Sequence, residues 1–137
     1  MGLILDTSAL VEIERAGQDV RQVLEPYADE AVAIPAVVWA ELLVGVRLAR
    51  DVDVAVRRRA KLEQLRLHVP IVEFDASTAE HYADIFSECS KAGTPIPQND
   101  LAVAATARCL GCKVLVARRD EAHFRCVRDL AVVVLGA

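Results

Sequence analysis

The stretch Asn99-Asp100-Leu101-Ala102-Val103-Ala104-Ala105-Thr106-Ala107-Arg108-Cys109-Leu110-Gly111-Cys112-Lys113-Val114-Leu115-Val116 reads as a helix that hands over at once to a strand. Two prolines, Pro95 and Pro97, precede it and Asn99 marks its start, while Gly111 stops it. The helix is built of Ala, Val and Thr, so it can lie very close to a sheet. The strand that follows is a continuous apolar run, as expected where both faces of a sheet are covered. A helix feeding directly into such a strand is the repeating unit of an α/β sheet.

Four further apolar runs have the same character, at residues 2–6, 31–35, 70–74 and 131–135. Helical patterns fill the intervals: 8–15 and 19–27 broken at Gly17, then 36–50, 52–67 and 76–91. The alternation predicts one domain over residues 1–137. Its expected architecture is three-layer α/β/α, with a central, mostly parallel sheet of about five strands.

The composition agrees with a chain that packs a core. It has 137 residues, 54% hydrophobic, and a net charge of −4. Apolar content of that order with little net charge excludes a disordered chain. No run approaches the ~18 apolar residues of a membrane span. Met1 to Asp6 has no basic segment of the kind that opens a signal peptide, so a cytoplasmic protein is expected. Four cysteines, Cys89, Cys109, Cys112 and Cys126, are then expected to be reduced. Cys109 and Cys112 form a C-x-x-C, but at a helix C-terminus, where the helix dipole opposes a thiolate. Of 16 bases, 13 are arginine, the residue suited to planar recognition of phosphate. Trp39, Phe74, Phe86 and Phe124 are too dispersed for a base-stacking platform and read as core.

In parallel α/β sheets ligands gather beyond the carboxyl ends of the strands, at a switch in strand order. Four acids fall in such places. Asp6 ends the first strand, directly before Thr7 and Ser8. Glu41 shares a helical stripe with Val38, Gly45 and Leu48, which points a carboxylate toward the core. Asp100 lies in the first turn of the small-residue helix, and Asp120 follows the fourth strand. Each alone has an ordinary explanation, such as a helix cap or a solvated loop acid. Together they make a carboxylate cluster, whose mutual repulsion calls for a cation. Oxygen donors select hard ions, Mg²⁺ or Mn²⁺, the apparatus of phosphodiester hydrolysis by an activated water.

These segments resemble a PIN domain. They are Leu3-Ile4-Leu5-Asp6-Thr7-Ser8-Ala9-Leu10, Trp39-Ala40-Glu41-Leu42, Pro97 to Ala107, and Leu115-Val116-Ala117-Arg118-Arg119-Asp120 with His123-Phe124. Within that family the likeness is greatest to the VapC-type toxins. The resemblance implies an endoribonuclease, a hydrolase dependent on Mg²⁺ or Mn²⁺. It implies Asp6, Glu41 and Asp100 as the main acids and Asp120 as the fourth. It also implies Thr7 or Ser8 as the hydroxyl supporting the first acid, with Asn99 beside Asp100. The family has Thr or Ser where this chain has Ala117. Arg118 and Arg119 are expected to meet RNA phosphates. The implied partners are RNA, a VapB-type antitoxin docking beside the helices at 35–50 and 52–67, and a second copy in a homodimer.

Two other readings compete. An Asp-phosphorylated receiver or phosphatase-like domain also gathers acids around Mg²⁺. It would place an acid pair after one strand and a lysine after a late one, whereas Thr7 and Ser8 flank Asp6 and Lys113 begins its strand. A non-catalytic binding module of the same fold would use the acids only as caps. His68, His81 and His123 are scattered and read as surface or packing residues.

Overall fold

The computed structural model describes residues 1–137. Five strands form one sheet: β1 (Leu3–Leu5), β2 (Val32–Pro35), β3 (Ile71–Val72), β4 (Lys113–Val116) and β5 (Val132–Val134). Their order is β3-β2-β1-β4-β5, and every neighbouring pair is parallel. The sheet is therefore wholly parallel. Seven helices surround it: α1 (Thr7–Arg15), α2 (Val20–Val23), α3 (Ala36–Arg47), α4 (Val52–His68), α5 (Ala76–Ala92), α6 (Gln98–Leu110) and α7 (Glu121–Arg125). No helix is long and apolar enough to cross a membrane.

β4 spans the expected Lys113–Val116, and the other four strands are shorter than the apolar runs that announce them. Residues at the ends of each run turn into the following helix or loop, so Phe74 is 45% exposed. Phe86 is exposed as well, on α5, and of the four aromatics expected in the core only Phe124 is fully buried. Trp39 is half-buried and carries the Arg66 guanidinium over its ring at 5.6 Å. The helix expected over 19–27 is two pieces, α2 and a 3-10 turn at Glu25–Tyr27, because Pro26 cannot donate to a continuing helix. Residues 48–51 link α3 to α4 outside either helix. The short α7 has no counterpart in the sequence reading.

The core lies under both faces of β1 and β4. Leu3, Ile4, Leu5, Val114, Leu115 and Val116 are each at most 1% exposed. The small-residue stripe behaves as its composition requires: Leu101 through Ala107 are all buried, and α6 packs on β1 and β4. Gly111 ends α6 in the left-handed region (φ 65°), a conformation without penalty for glycine. The four cysteines are free. Burial pushes the Cys112 thiol up, against any role as a reactive thiolate.

One consequence of the strand order positions everything else. The chain leaves β1 to build β2 and β3 on one side, then crosses to build β4 and β5 on the other. The carboxyl ends of β1 and β4 thus flank the point where strand order reverses.

Candidate active site

Asp6 sits at that point. It is the N-cap of α1, with extended backbone (φ −80°, ψ 153°), and is 1% exposed. Its Oδ2 accepts from both the backbone N–H and the hydroxyl of Ser8, and Oδ1 accepts nothing within the protein. Burial pushes the Asp6 carboxyl up to about 6, against the pull of the two Ser8 bonds, and the charges of Asp100 and Asp120 push the same way.

Ser8 has a second bond. Its Oγ accepts from the backbone N–H of Ala117 at 3.0 Å, across the end of β4. Ser8 is therefore the hydroxyl that supports Asp6, and it ties the ends of β1 and β4 together. Thr7 supports a different acid: its hydroxyl donates to Glu41 Oε1 at 2.8 Å. Removing the Ser8 hydroxyl orphans a buried N–H, which costs on the order of 2 kcal/mol. Ser8→Ala is expected to lower unfolding stability by about that amount in urea melts; an unchanged midpoint would show that the bridge carries no stability.

Glu41 stands on α3 at the rim, half-buried, not pointed into the core. Its stripe runs from Val38, 0% exposed, out to Leu48, the C-cap, 79% exposed. Asp100 is in the first turn of α6, with a side chain 15% exposed. Burial raises its pKa, the neighbouring Asp120 and Glu41 charges add to that, and a hydrogen bond with His123 opposes it. That contact, His123 Nδ1 to Asp100 Oδ2, measures 2.6 Å.

Asp120 ends a 3-10 turn (Arg118–Asp120) and precedes α7. Its N–H donates to Ala117 O at 3.1 Å, so the main chain orients it although residue 117 carries no hydroxyl. Its carboxylate makes no capping bond to α7, which leaves its oxygens free. One donor atom each from Asp100, Asp120 and His123 lies within 4.8 Å of the others.

The close cluster holds Asp100, Asp120 and His123; Asp6 and Glu41 stand outside it, with the charges of Asp100 and Asp120 reaching Asp6 and that of Glu41 reaching Asp100. None of the four acids pairs with a lysine or arginine, and the only basic partner is His123. Asn99 is outside this group: it is exposed on the first turn of α6 and its side chain bonds to none of the acids. Arg118 and Arg119 are exposed on the turn leading into Asp120, with Arg118 only loosely paired to Glu121 at 4.0 Å. Sequence reasoning missed His123. The available signal was its position three residues after Asp120 and one before the buried Phe124, which puts Asp120 and His123 on one face of a helical turn.

The lysine that a receiver domain would use is at the wrong end of the sheet. Lys113 begins β4 and pairs with Glu30 at 2.6 Å. A buried carboxylate short of partners, two neighbours of like charge and no Lys or Arg among them fit a divalent cation: the donors are oxygens, with one imidazole beside them.

A buried carboxylate at the switch point of a parallel sheet, with the charges of Asp100 and Asp120 reaching it, suits an α/β enzyme that handles a cation. The PIN domain family model matches residues 3–129, and the chain belongs to that family, whose fold is a nuclease fold. Among relatives, Ribonuclease VapC1 of Rickettsia felis is 27% identical over 137 residues, covering 100% of this chain and 98% of that protein. Ribonuclease VapC5 of Mycobacterium tuberculosis is 30% identical over 119 residues, 87% of this chain and 84% of that one. A solved structure of that organism's toxin–antitoxin member VapBC-5 superposes with a TM-score of 0.74 and 25% identity, covering 100% of each chain. VapBC2 of Rickettsia felis, solved bound to a DNA fragment from its promoter, gives a TM-score of 0.86 at 24% identity over 98% of each chain.

Proposed function

We propose that this protein is a divalent-metal-dependent endoribonuclease, hydrolysing RNA phosphodiester bonds with an activated water, and that a VapB-like antitoxin restrains it. One observation supports the chemistry above the rest: Asp6, 1% exposed, keeps one oxygen unbonded at a point where the charges of Asp100 and Asp120 reach it. Asp6 and Asp100, with Glu41 and Asp120 directly or through water, would hold Mg²⁺ or Mn²⁺. When bound, the ion supplies Lewis acidity: it polarises the phosphate and lowers the pKa of a water. The chain's own part is to hold its carboxylates in place. Ser8 fixes Asp6, Thr7 fixes Glu41, and the turn at Ala117 fixes Asp120. Arg118 and Arg119 are exposed on the turn that leads into Asp120, where an RNA backbone would need cations.

The restraint follows from the surface beside the site. A groove of about 1080 Å³ runs between α1, α2, α3 and α4, with Thr7 and Glu41 at its wall and Leu10, Val20, Leu24 and Leu65 among its apolar lining. Its apolar floor suits hydrophobic anchors, and Glu41 suits a cation from the same segment. A VapB-type chain laid there would bring an Arg or Lys to the acids and displace the metal. The protein is also proposed to be a homodimer and to work as one domain in the cytoplasm.

The test is cleavage of a mixed RNA pool by the partner-free protein. Cleavage in Mn²⁺ or Mg²⁺, abolished by EDTA and restored by excess metal, is the expected result. An intact RNA pool in saturating Mn²⁺ would overturn the proposal.

A further inference from the structure

The only basic side chain touching the acidic cluster comes from α7, a helix of five residues. Such a helix is not stable by itself. Phe124, 0% exposed, and Val127, 5% exposed, anchor it in the core. The Cys126 thiol also lies 3.1 Å from the carbonyl of His123. These contacts fix where His123 points, and it points at Asp100 on a different helix.

At 2.6 Å, Nδ1 of His123 and Oδ2 of Asp100 are a hydrogen-bonded pair. Two donors to a single octahedral ion, at metal distances of about 2.1 Å, stand about 3 Å apart and face the ion, not each other. A ring nitrogen engaged with Asp100 Oδ2 is therefore not itself a metal donor. The carboxylate accepts, so the imidazole carries its proton on Nδ1. Asp100 is left with Oδ1 for the pocket.

We propose that His123 is a positioning residue: its Nδ1–H holds Oδ2 of Asp100, fixes that side chain's rotamer, and so presents Oδ1 as a metal donor beside Asp6 and Asp120. This rests on the metal-dependent reading above. The bond ties α6, which carries Asp100, to α7, whose N-cap is Asp120. Ser8 does the equivalent for Asp6, between the ends of β1 and β4. Each of these two acids is thus held by a donor that leaves one oxygen for the ion. Partners of this kind typically change metal affinity 10- to 100-fold.

The experiment measures binding of Mn²⁺ alone to the purified, partner-free chain by electron paramagnetic resonance of the unbound ion. It uses the wild type, His123→Ala and His123→Asn, with melting in EDTA as a fold control. An asparagine amide nitrogen can stand where Nδ1 stands, and alanine supplies no donor. The expected result is a 10- to 100-fold weaker site in His123→Ala, affinity returned to within about threefold of wild type in His123→Asn, and both variants folded. If alanine unfolds the protein, the asparagine variant decides: a folded His123→Asn with wild-type affinity supports the proposal, and one with weakened affinity overturns it. Wild-type affinity in His123→Ala overturns the positioning role and leaves the metal-dependent reading standing. A wild type that binds no Mn²⁺ overturns that reading and this one with it.

Discussion

Asp6→Asn is expected to abolish RNA cleavage and, in the presence of a chelator, to make the protein more stable. The two effects have one origin. Burial holds the Asp6 carboxyl at about 6, against 3.8 for a free one. At neutral pH the metal-free protein keeps that buried group ionised, at a cost on the order of 3 kcal/mol. Asparagine removes the charge and keeps the cap, since its side-chain oxygen accepts from the Ser8 N–H as aspartate does. The Ser8 hydroxyl keeps an acceptor too. A chain of this size gains a few degrees of melting temperature per kcal/mol, so a rise of several degrees in EDTA is expected. Thermal melts and RNA cleavage on the same preparation check both halves. An Asn variant that melts lower and still cuts RNA would make Asp6 a structural cap and nothing more.

Parts of this site were legible in the sequence for definable reasons. Asp6 was readable because Leu3-Ile4-Leu5 is apolar without interruption and stops on it, and a buried parallel strand leaves that mark. Asp100 was readable because prolines announce α6 and small residues fill it. Residue 120 is harder: Glu121 and Asp129 are equally acidic, and residue patterning does not separate them. Glu121 turns to Arg125, Asp129 is exposed with φ 56°, and of the three only Asp120 brings a carboxylate oxygen within 4.8 Å of Asp100 and His123 donors. The resemblance to PIN domains, not residue patterning, selected Asp120 beforehand.

What the sequence did not show depended on long-range geometry. Thr7 and Ser8 are adjacent and chemically alike, and nothing local says that one hydroxyl serves Glu41, 34 residues away, while the other serves Asp6 and the Ala117 N–H. His123 was passed over because α7 is too short for a periodic pattern. The aromatics misled for a related cause. Hydrophobicity says that a residue can be buried, not that a helix face has a neighbour, and α5 leaves Phe86 58% exposed.

The same buried carboxylate predicts that metal reverses the pH dependence of stability. A carboxyl whose folded-state pKa lies above its unfolded value favours folding when protonated. For Asp6 that contribution is complete below about pH 4 and is lost as pH rises through about 6. Asp100 is raised by burial as well and acts in the same direction. Asp75 is the opposite case, since Thr78 donates two hydrogen bonds to its carboxylate and lowers its pKa, so its contribution is lost only as the solution becomes more acidic than pH 4. Between pH 5 and 7.5, then, the chelated protein should melt at progressively lower temperature. Saturating Mn²⁺ should do the reverse, because the ion binds the ionised acids and must displace the proton from Asp6 below pH 6. Melting curves with EDTA and with Mn²⁺ should therefore diverge as pH rises, the difference being small at pH 5 and largest above pH 7. In Asp6→Asn most of that divergence should disappear, since the group that exchanges a proton for the ion is gone. Parallel curves for the wild type across this range would mean that Mn²⁺ does not meet Asp6, and the metal would have to be placed elsewhere on the protein.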